Sequence, residues 1–389
     1  MEKFLVIHYN EISLKKGNRN FFEDKLILQI KRVLAGQAFD FLKKISGRLI
    51  LKLNERSDVA AICGKLKKVF GIGYFCESFL SSPNLKILKE DILDLIKNKK
   101  FESFKIETQR SNKSYPLTSQ QVNEKIGEYI LENLKNRKIK VKLKNPDLTC
   151  FIEIVENYAF IYFEKIKGAG GLPQGTSGKV VSLISSGFDS PVASYLLMRR
   201  GAEIVFCHFE STPQTSIASI ENVKKLVKKL TEYQLKSKLY LIPFLEIQKE
   251  IIKNCKLDLA VILYRRIMVR LACEIAKKEG ARALLTGDNL GQVASQTLEN
   301  IEVINQTAEF PIFRPLIGFD KEEIINLARK ISTYEVSSAP YEDCCSLFIP
   351  RHPQTKARLE EVETEEKKLD IEKMIDMAIK RMKIEEFSL

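Results

Sequence analysis

The chain has 389 residues, of which 44% are hydrophobic, enough for two or three separate cores, and this composition excludes disorder as its main state. Lys and Arg number 63 against 50 Asp and Glu, so the net charge is +13 and a polyanionic partner is favoured. No run approaches the roughly 20 apolar residues of a membrane-spanning helix, and the N-terminus lacks the pattern of a signal peptide. We therefore expect a cytoplasmic protein with no membrane partner.

The eight cysteines are too sparse for a disulfide scaffold and are expected to be reduced thiols. No Cys-x-x-Cys pair occurs and there are only three histidines, so the spacings of a structural zinc site are missing. Six of the cysteines lie in apolar strand or helix patterns and are expected in the cores.

The first segment, 1–78, alternates strand and helix patterns in the order β-α-β-β-α-β, which is typical of a ferredoxin-like sandwich. The predicted elements are the strand FLVIHY, a helix over 20–34, strands over 39–41 and 48–53, a helix over 59–69 and a strand over 74–80.

The second segment, 79–166, is predicted to contain a helix over 87–97, the strand FKIETQR, a helix over 118–136 and the strands IKVKLK and CFIEIVENYAFIYFE. Lysines at every second position from Lys138 to Lys144 alternate with apolar residues. Because side chains alternate across a strand, one face of this strand is predicted to be a row of positive charge.

Residues 167–178, KGAGGLPQGTSG, interrupt both periodicities and are predicted to be a linker. From 179 to 389, short apolar strands alternate with helices, which predicts a doubly wound parallel sheet covered on both faces. The stretch 356–387 is predicted to be a charged amphipathic helix or a pair of helices.

The richest chemistry is expected at SSGFDS, residues 185–190, where the first strand of this α/β segment meets its helix. Small residues let backbone N–H groups approach a phosphate, Ser hydroxyls add donors, and the helix N-terminus favours an anion. The alternative is a tight turn capped by Ser190, with Pro191 at the first helical position. Location favours the phosphate site, because nucleotides bind at the carboxyl ends of parallel strands.

This loop resembles the S-G-G-x-D-S phosphate loop of ATP pyrophosphatases, with Ser186 at the place of the first glycine. Its surroundings, together with LYRRIMVRLACEIA, GDNLGQVASQTLENI, RPLIGFDKEEII and PYEDCCSLF, resemble the tRNA 4-thiouridine synthetases in the expected order. The resemblance implies that segment 1–78 is ferredoxin-like, that 79–166 is an RNA-binding THUMP domain, and that 179–389 is the catalytic domain. The rhodanese domain of longer relatives is not expected here.

The resemblance implies that AMP is transferred from ATP to O4 of a tRNA uridine, at position eight, with release of pyrophosphate. A sulfur nucleophile then displaces AMP to leave 4-thiouridine. The implied cofactors are ATP and Mg²⁺. Asp189 would be catalytic, orienting the phosphate loop or contacting Mg²⁺, because hard carboxylate oxygens suit that ion.

A wider set of ATP-binding residues follows from the same resemblance. Arg266 shares a helix face with Arg270, but a solvated helix side is the alternative. The alternative role of Asp288 is a plain helix cap, and the alternative for His208 is a core histidine whose hydrogen bonds are satisfied. The full set is Ser185, Ser186, Gly187, Phe188, Asp189, Ser190, His208, Phe209, Arg266, Gly287, Asp288 and Gln292.

Cys344 and Cys345 lie in a segment bounded by Pro340 and Pro350, and the resemblance places the sulfur-handling cysteine there. A thiolate accepts a persulfide sulfur, so one of the pair is expected to carry sulfur or to resolve a disulfide. A cysteine desulfurase, or another persulfide or sulfide source, is the implied partner.

The front half offers scattered basic residues for RNA, each of which alone could be a solvated charge. Together they would make an extended surface for backbone phosphates, and Tyr115 could stack on an unpaired base. The candidates are Lys15, Lys16, Arg19, Arg110, Lys113, Lys138 and Lys140.

A homodimer would let one subunit hold RNA for the other. The alternative functions are a non-catalytic tRNA-binding protein with a degenerate phosphate loop, and an amide-forming ligase acting on a small molecule.

Overall fold

A computed structural model describes residues 1–111, 114–339, 348, 350 and 352–389. The chain forms two compact units, Met1–Pro173 and Gln174–Leu389, whose boundary falls within the predicted linker. None of the helices in these described residues combines the length and the apolar composition needed to cross a membrane.

The first half of the first unit has the predicted β-α-β-β-α-β order. Alternate residues of its strands and one face of each helix form a shared core around Leu5, Leu26 and Ile62. The second strand is displaced towards the C-terminus from the predicted 39–41. The elements are β1 (Lys3–His8), α1 (Arg19–Val33), β2 (Phe41–Ile45), β3 (Arg48–Lys52), α2 (Val59–Leu66) and β4 (Tyr74–Ser81).

The second half of this unit consists of α3 (Leu85–Ile96), β5 (Ser103–Arg110), α4 (Ser119–Asn133), β6 (Lys140–Val141), β7 (Leu148–Val155), β8 (Tyr158–Tyr162) and β9 (Ile166–Lys167). Its strands extend the same sheet, in which the described strands run β2-β3-β1-β4-β8-β7-β5-β6, with β9 also paired with β4. The prediction of a long lysine-bearing strand was wrong, because only Lys140–Val141 pair with β5 as a strand, and Lys138, with a φ of 49°, lies outside the extended run.

This sheet curls so that its helix-free face closes on itself. Strands β3 and β7 are four positions apart, about 19 Å in a flat sheet, yet Arg48 Nη1 lies 2.9 Å from Glu153 Oε2. Glu153 is buried and also contacts His8 Nε2 at 3.0 Å and accepts a hydrogen bond from Tyr162 at 2.7 Å. Burial acts to raise the pKa of Glu153, but these partners outweigh it and lower the pKa, so the curl is held by a buried carboxylate.

The second unit has the predicted parallel sheet, in the order β14-β13-β10-β11-β12-β15 among the described strands. The strands are β10 (Lys179–Leu183), β11 (Glu203–Glu210), β12 (Lys236–Pro243), β13 (Ala283–Leu285), β14 (Ile312–Phe313) and β15 (Lys383–Ser388). Of the strands described in this unit, only β15 is antiparallel, pairing with the edge of β12. The prediction of helix up to residue 387 was therefore partly wrong, because the chain ends as an edge strand.

Helices cover both faces of this sheet, and α8 is the most buried of those described. They are α5 (Asp189–Arg199), α6 (Ile217–Gln234), α7 (Leu245–Asn254), α8 (Ala260–Glu279), α9 (Leu298–Asn305), α10 (Lys321–Lys330), α11 (Tyr334–Ser337), α12 (Leu359–Glu366) and α13 (Ile371–Arg381). From β10 the chain adds β11 and β12 on one side, and then returns to add β13 and β14 on the other. This reversal opens a crevice at the carboxyl ends of β10 and β13, where nucleotides bind in such sheets.

Candidate functional site

A pocket of about 310 Å³ opens at this crevice. It brings together most of the predicted ATP-binding residues from three separate parts of the chain: the loop after β10, the end of β11 and the segment after β13. Those that line it are Ser185, Gly187, Asp189, Ser190, His208, Phe209, Gly287, Asp288 and Gln292.

The phosphate loop is held in shape by its own serines. Ser190 Oγ accepts a hydrogen bond from the Ser185 N–H at 2.8 Å, and the Gly187 N–H lies 3.4 Å from Ser185 Oγ. Ser194 Oγ, one turn into α5, donates to the Ser190 carbonyl at 2.8 Å. These bonds place the loop at the N-terminus of α5, where the helix dipole favours an anion.

Ser186 and Phe188, which were also predicted to bind ATP, are not among the residues that line the pocket, and their side chains have other contacts. Ser186 is fully buried, with Oγ 3.5 Å from Ser219 Oγ, and the Phe188 ring packs on Tyr334 with centroids 5.4 Å apart. Ser186 is not among the residues with positive φ. A serine at the place of the first glycine therefore carries no left-handed strain.

Asp189 is the acidic centre of the phosphate loop. Its carboxylate accepts hydrogen bonds from Lys321 Nζ at 2.7 Å and from Gln292 Nε2 at 3.0 Å. Among the described residues no group of three or more His, Cys, Asp or Glu could hold a metal ion. Asp189 as a single carboxylate fits Mg²⁺, which is usually held by one or two carboxylates together with water and phosphate oxygens.

Asp288 lies at the pocket between two arginines. It forms an ion pair with Arg265, lies 3.1 Å from Arg314 Nε and accepts a hydrogen bond from Thr286 Oγ1 at 2.7 Å. Burial acts to raise the pKa of Asp288, but the positive charge of Arg265 and Arg314 and the bond from Thr286 lower it. The ionised carboxylate thus holds both guanidinium groups at the pocket wall, where they can neutralise phosphate charge.

Arg266 does not reach the pocket, and its assignment to ATP binding was wrong. Its guanidinium is buried and pairs with Glu366 on α12 through two bonds of 2.8 Å, with Arg270 on the same carboxylate at 2.6 Å. Burial acts to raise the pKa of Glu366, but the two arginines lower it to about 2. Arg265, one residue earlier on α8, faces the pocket instead, because consecutive helix positions differ by about 100°.

His208 and Phe209 end β11 at the pocket, with His208 Nδ1 2.9 Å from the Ile184 carbonyl oxygen. The apolar wall of the pocket, which suits the faces of a nucleobase, was not predicted from the sequence. Neither were Gln296 and Ser295, which lie beside that wall. The apolar lining comprises Leu183, Ile184, Val261, Met268, Val269, Val293 and Ile304.

We expect Gly287→Ala to lower the catalytic efficiency with ATP by about 100-fold, because a 1 Å shift of reacting groups has effects of that order. A Cβ at Gly287 would lie 2.7 Å from the Ser190 nitrogen and 2.9 Å from the Asp189 carbonyl carbon, both backbone atoms that must move with the phosphate loop. Steady-state kinetics against ATP measure the effect. Gly318→Ala is the matched control, because nothing lies within 4 Å of its Cβ position. Unchanged kinetics for Gly287→Ala would show that the loop does not need this close approach.

The predicted RNA-binding arginines of the first unit have partners within that unit. Arg19 Nε pairs with Glu23 at 2.7 Å, and Arg19 also donates to the Tyr9 hydroxyl at 3.0 Å. Arg110 donates to the Leu117 carbonyl at 2.6 Å. Tyr115, predicted to stack on a base, donates to the Pro83 carbonyl at 2.6 Å and packs against the core. Each of the three side chains thus has a structural role in the first unit.

The lysines are placed differently. Lys16, Lys138 and Lys140 are exposed and Lys15 is half-buried, with Nζ 5.1 Å from the Phe22 ring. Lys113 lies outside the described residues. The first unit carries 32 Lys and Arg against 20 Asp and Glu, whereas the second carries 31 against 30. Nearly all of the chain's net positive charge therefore belongs to the first unit.

Cys344 and Cys345 also lie outside the described residues. Of the other six cysteines, Cys63 and Cys255 are half-buried and the rest are buried. Burial raises the pKa of every one of the six, to about 11 for Cys255 and about 12 for Cys150. None of these described thiols is therefore activated as a nucleophile.

A serine-rich phosphate loop at the switch point of a parallel sheet defines a nucleotide-binding protein of the ATP pyrophosphatase class, here joined to a separate basic unit. Family models agree with this division. The model described as "Thiamine biosynthesis protein (ThiI)" matches residues 175–371, the ThiI ferredoxin-like domain matches 4–76, and a THUMP domain matches 83–164. The chain belongs to the ThiI family of tRNA sulfurtransferases.

Relatives cover the whole length. A probable tRNA sulfurtransferase of Thermoanaerobacter sp. (strain X514) is 44% identical over 376 residues, covering 97% of this chain and 98% of the relative. One from Moorella thermoacetica is 42% identical over 380 residues, covering 98% and 96%. A crystal structure of a 4-thiouridine synthetase–RNA complex with bound ATP superimposes with a TM-score of 0.88 at 34% identity, covering 100% of both chains. The family and the fold predicted from the sequence are confirmed.

Proposed function

We propose that this protein is an ATP-dependent tRNA sulfurtransferase that converts a uridine, at position eight, to 4-thiouridine through an adenylated tRNA. The observation that supports it most is the pocket in which the phosphate loop, Asp189 and the Arg265–Asp288–Arg314 group meet. The full-length relatives named tRNA sulfurtransferase, and the ATP-bound 4-thiouridine synthetase structure, support the same activity.

The proposed reaction has two steps, adenylation of the uridine and replacement of AMP by sulfur. The phosphate loop binds the β- and γ-phosphates, while Arg265 and Arg314 face the phosphate charge and the apolar wall accommodates the adenine. Uridine O4 attacks the α-phosphorus, a new O–P bond forms, and the bond to the β-phosphate oxygen breaks to release pyrophosphate. When bound, Mg²⁺ at Asp189 supplies charge neutralisation of the leaving pyrophosphate. In the second step, a C4–S bond forms and the C4–O bond breaks, releasing AMP.

The sulfur for the second step is proposed to come from a cysteine desulfurase, or from another persulfide or sulfide source, through Cys344 or Cys345. A homodimer belongs to the same proposal, since the basic surface of one subunit could hold tRNA for the pocket of the other. Sedimentation of the protein with and without tRNA tests the dimer.

The test of the function is release of AMP and pyrophosphate from ATP that depends on added tRNA, followed by detection of 4-thiouridine in the digested tRNA. A non-catalytic tRNA-binding protein with a degenerate phosphate loop would bind tRNA and release neither product. The loop geometry favours catalysis, because Ser186 leaves the backbone unstrained.

Salt dependence should locate the RNA surface on the first unit. Each phosphate contact adds about 0.7–0.9 to the slope of log affinity against log salt, so reversing Lys138 and Lys140 to Glu should flatten that slope by about 1.5. Filter binding or fluorescence anisotropy with tRNA at several salt concentrations measures it. The control reverses Lys225 and Lys228, exposed residues of α6 in the nearly neutral second unit, which changes the net charge equally. Equal slopes for the two double variants would remove Lys138 and Lys140 from the RNA surface.

A further inference from the structure

Four side chains beside the phosphate loop form a continuous stack of cations and rings, here called the cation–aromatic ladder: Lys321, Phe188, Tyr334 and Arg329. Lys321 Nζ lies 5.6 Å from the centroid of the Phe188 ring. The Phe188 and Tyr334 rings are 5.4 Å apart and inclined by 32°. Arg329 Cζ lies 4.7 Å from the centroid of Tyr334. These distances are within the range of cation–π and aromatic contacts.

One end of the ladder is at the nucleotide pocket. Phe188 directly precedes Asp189, and Lys321 bonds to the Asp189 carboxylate at 2.7 Å. Ser337 Oγ at the end of α11 donates to the Gly187 carbonyl at 3.2 Å, which joins the helix that carries Tyr334 to the phosphate loop. The ladder therefore leads from the mouth of the pocket outwards over α10 and α11.

The other end is open and positively charged. Arg329 is exposed, and no carboxylate among the described residues lies within ion-pair distance of it. Tyr334 and Phe188 are half-buried, so part of each ring contacts solvent. A contact that served only packing would not need an exposed guanidinium. An aromatic ring beside an arginine that has no carboxylate partner is the combination that binds single-stranded nucleotides, by stacking on the bases and by contact with the phosphates.

The charge distribution favours a local RNA contact of this kind. The second unit has 31 basic and 30 acidic residues, so it has no general attraction for a polyanion. Yet the reacting uridine must leave its base stack and reach the pocket of this unit, which removes its stacking partners. Stacking on the open end of the ladder, beside the pocket, replaces what is lost.

We propose that the cation–aromatic ladder is a binding site for unpaired RNA nucleotides next to the target uridine, with Tyr334 holding the Arg329 guanidinium so that it stacks on a base and contacts a phosphate. This inference rests on the proposed function, because it assumes that tRNA is the substrate. The ladder positions the RNA and takes no part in the bond changes.

The test compares four variants in the tRNA-dependent pyrophosphate assay with the full-length protein. Tyr334→Leu keeps an apolar side chain but removes the π face, and Arg329→Gln removes the charge; each should raise the KM for tRNA about tenfold. The KM for ATP should stay within about twofold in both. Tyr334→Phe keeps the stacking face and should behave like the unchanged protein. Arg282→Gln is the control, because it removes an exposed arginine at the amino end of β13, on the opposite edge of the sheet.

The outcomes separate this inference from the proposed function. If the unchanged protein releases no pyrophosphate with tRNA, the proposed function fails. If it does, but Tyr334→Leu and Arg329→Gln leave the KM for tRNA unchanged, the ladder is not an RNA site. A loss in Tyr334→Phe equal to that in Tyr334→Leu, or an equal rise in the KM for ATP, would overturn the inference in favour of packing. If Tyr334→Leu lowers the melting temperature of the protein, its KM for tRNA is not interpreted. The KM for tRNA of Arg329→Gln, a substitution at an exposed position, then decides whether the ladder binds RNA.

Discussion

Replacing Asp189 by Ala should lower the rate of tRNA-dependent pyrophosphate release by about 1000-fold while tRNA affinity stays within about twofold. Its carboxylate holds Lys321 at 2.7 Å and Gln292 at 3.0 Å, and it is the one acidic side chain of the phosphate loop. Without it, two donors at the pocket lose their acceptor, and Mg²⁺ loses the carboxylate proposed to hold it. An assay of released pyrophosphate measures the rate, and fluorescence anisotropy measures the affinity for tRNA, both on one preparation of the protein.

Two further variants sharpen the test. Asp189→Asn keeps an oxygen for Lys321 but loses the negative charge, so it should fall nearly as far if charge is what matters. Asp376→Ala removes an exposed carboxylate from α13 and should leave both quantities unchanged. A parallel loss of tRNA affinity in Asp189→Ala would contradict the division of labour in which the second unit binds ATP and the basic first unit binds most of the RNA.

Substitution of Cys344 and Cys345 by Ser should separate activation from sulfur transfer. We expect one of the two variants to lose 4-thiouridine formation while still releasing pyrophosphate, because adenylation needs only the pocket and the base. The described cysteines cannot replace the lost thiol, since burial raises the pKa of each. Pyrophosphate release and thiouridine yield on the same tRNA give both readouts.

The sulfur donor in this experiment is a cysteine desulfurase with cysteine. A persulfide that bonds to C4 through its terminal sulfur releases 4-thiouridine when an added thiol attacks its inner sulfur and breaks the S–S bond, and a second equivalent of that thiol reduces the resulting mixed disulfide. Free sulfide bypasses the carrier and should partly restore the variant. Cys63→Ser, at a half-buried position, is the control. If both Ser variants thiolate normally with the desulfurase, sulfur reaches the uridine by another route.

The amino-acid sequence by itself determined the elements that depend on short-range patterns. Strand and helix periodicities predicted the β-α-β-β-α-β order of the first 78 residues and the parallel sheet of the second unit, because burial of one face repeats every two or 3.6 residues. Residues 185–190 were recognisable because a phosphate loop is a contiguous stretch whose residue types follow from the close approach of backbone to anion. The cluster at the carboxyl edge then followed from the rule for parallel sheets.

Only the tertiary structure decided which side chains of these elements meet. Periodicity placed Arg265 and Arg266 on one helix, but it did not say which of them faces Asp288 and which faces Glu366. The pairing of Asp189 with Lys321 joins residues 132 positions apart, and the curl that brings Arg48 to Glu153 joins strands four places apart in the sheet. Such contacts depend on how whole helices and strands pack. A long polar side chain can pair with any partner that this packing places within hydrogen-bonding distance. No local pattern encodes that choice.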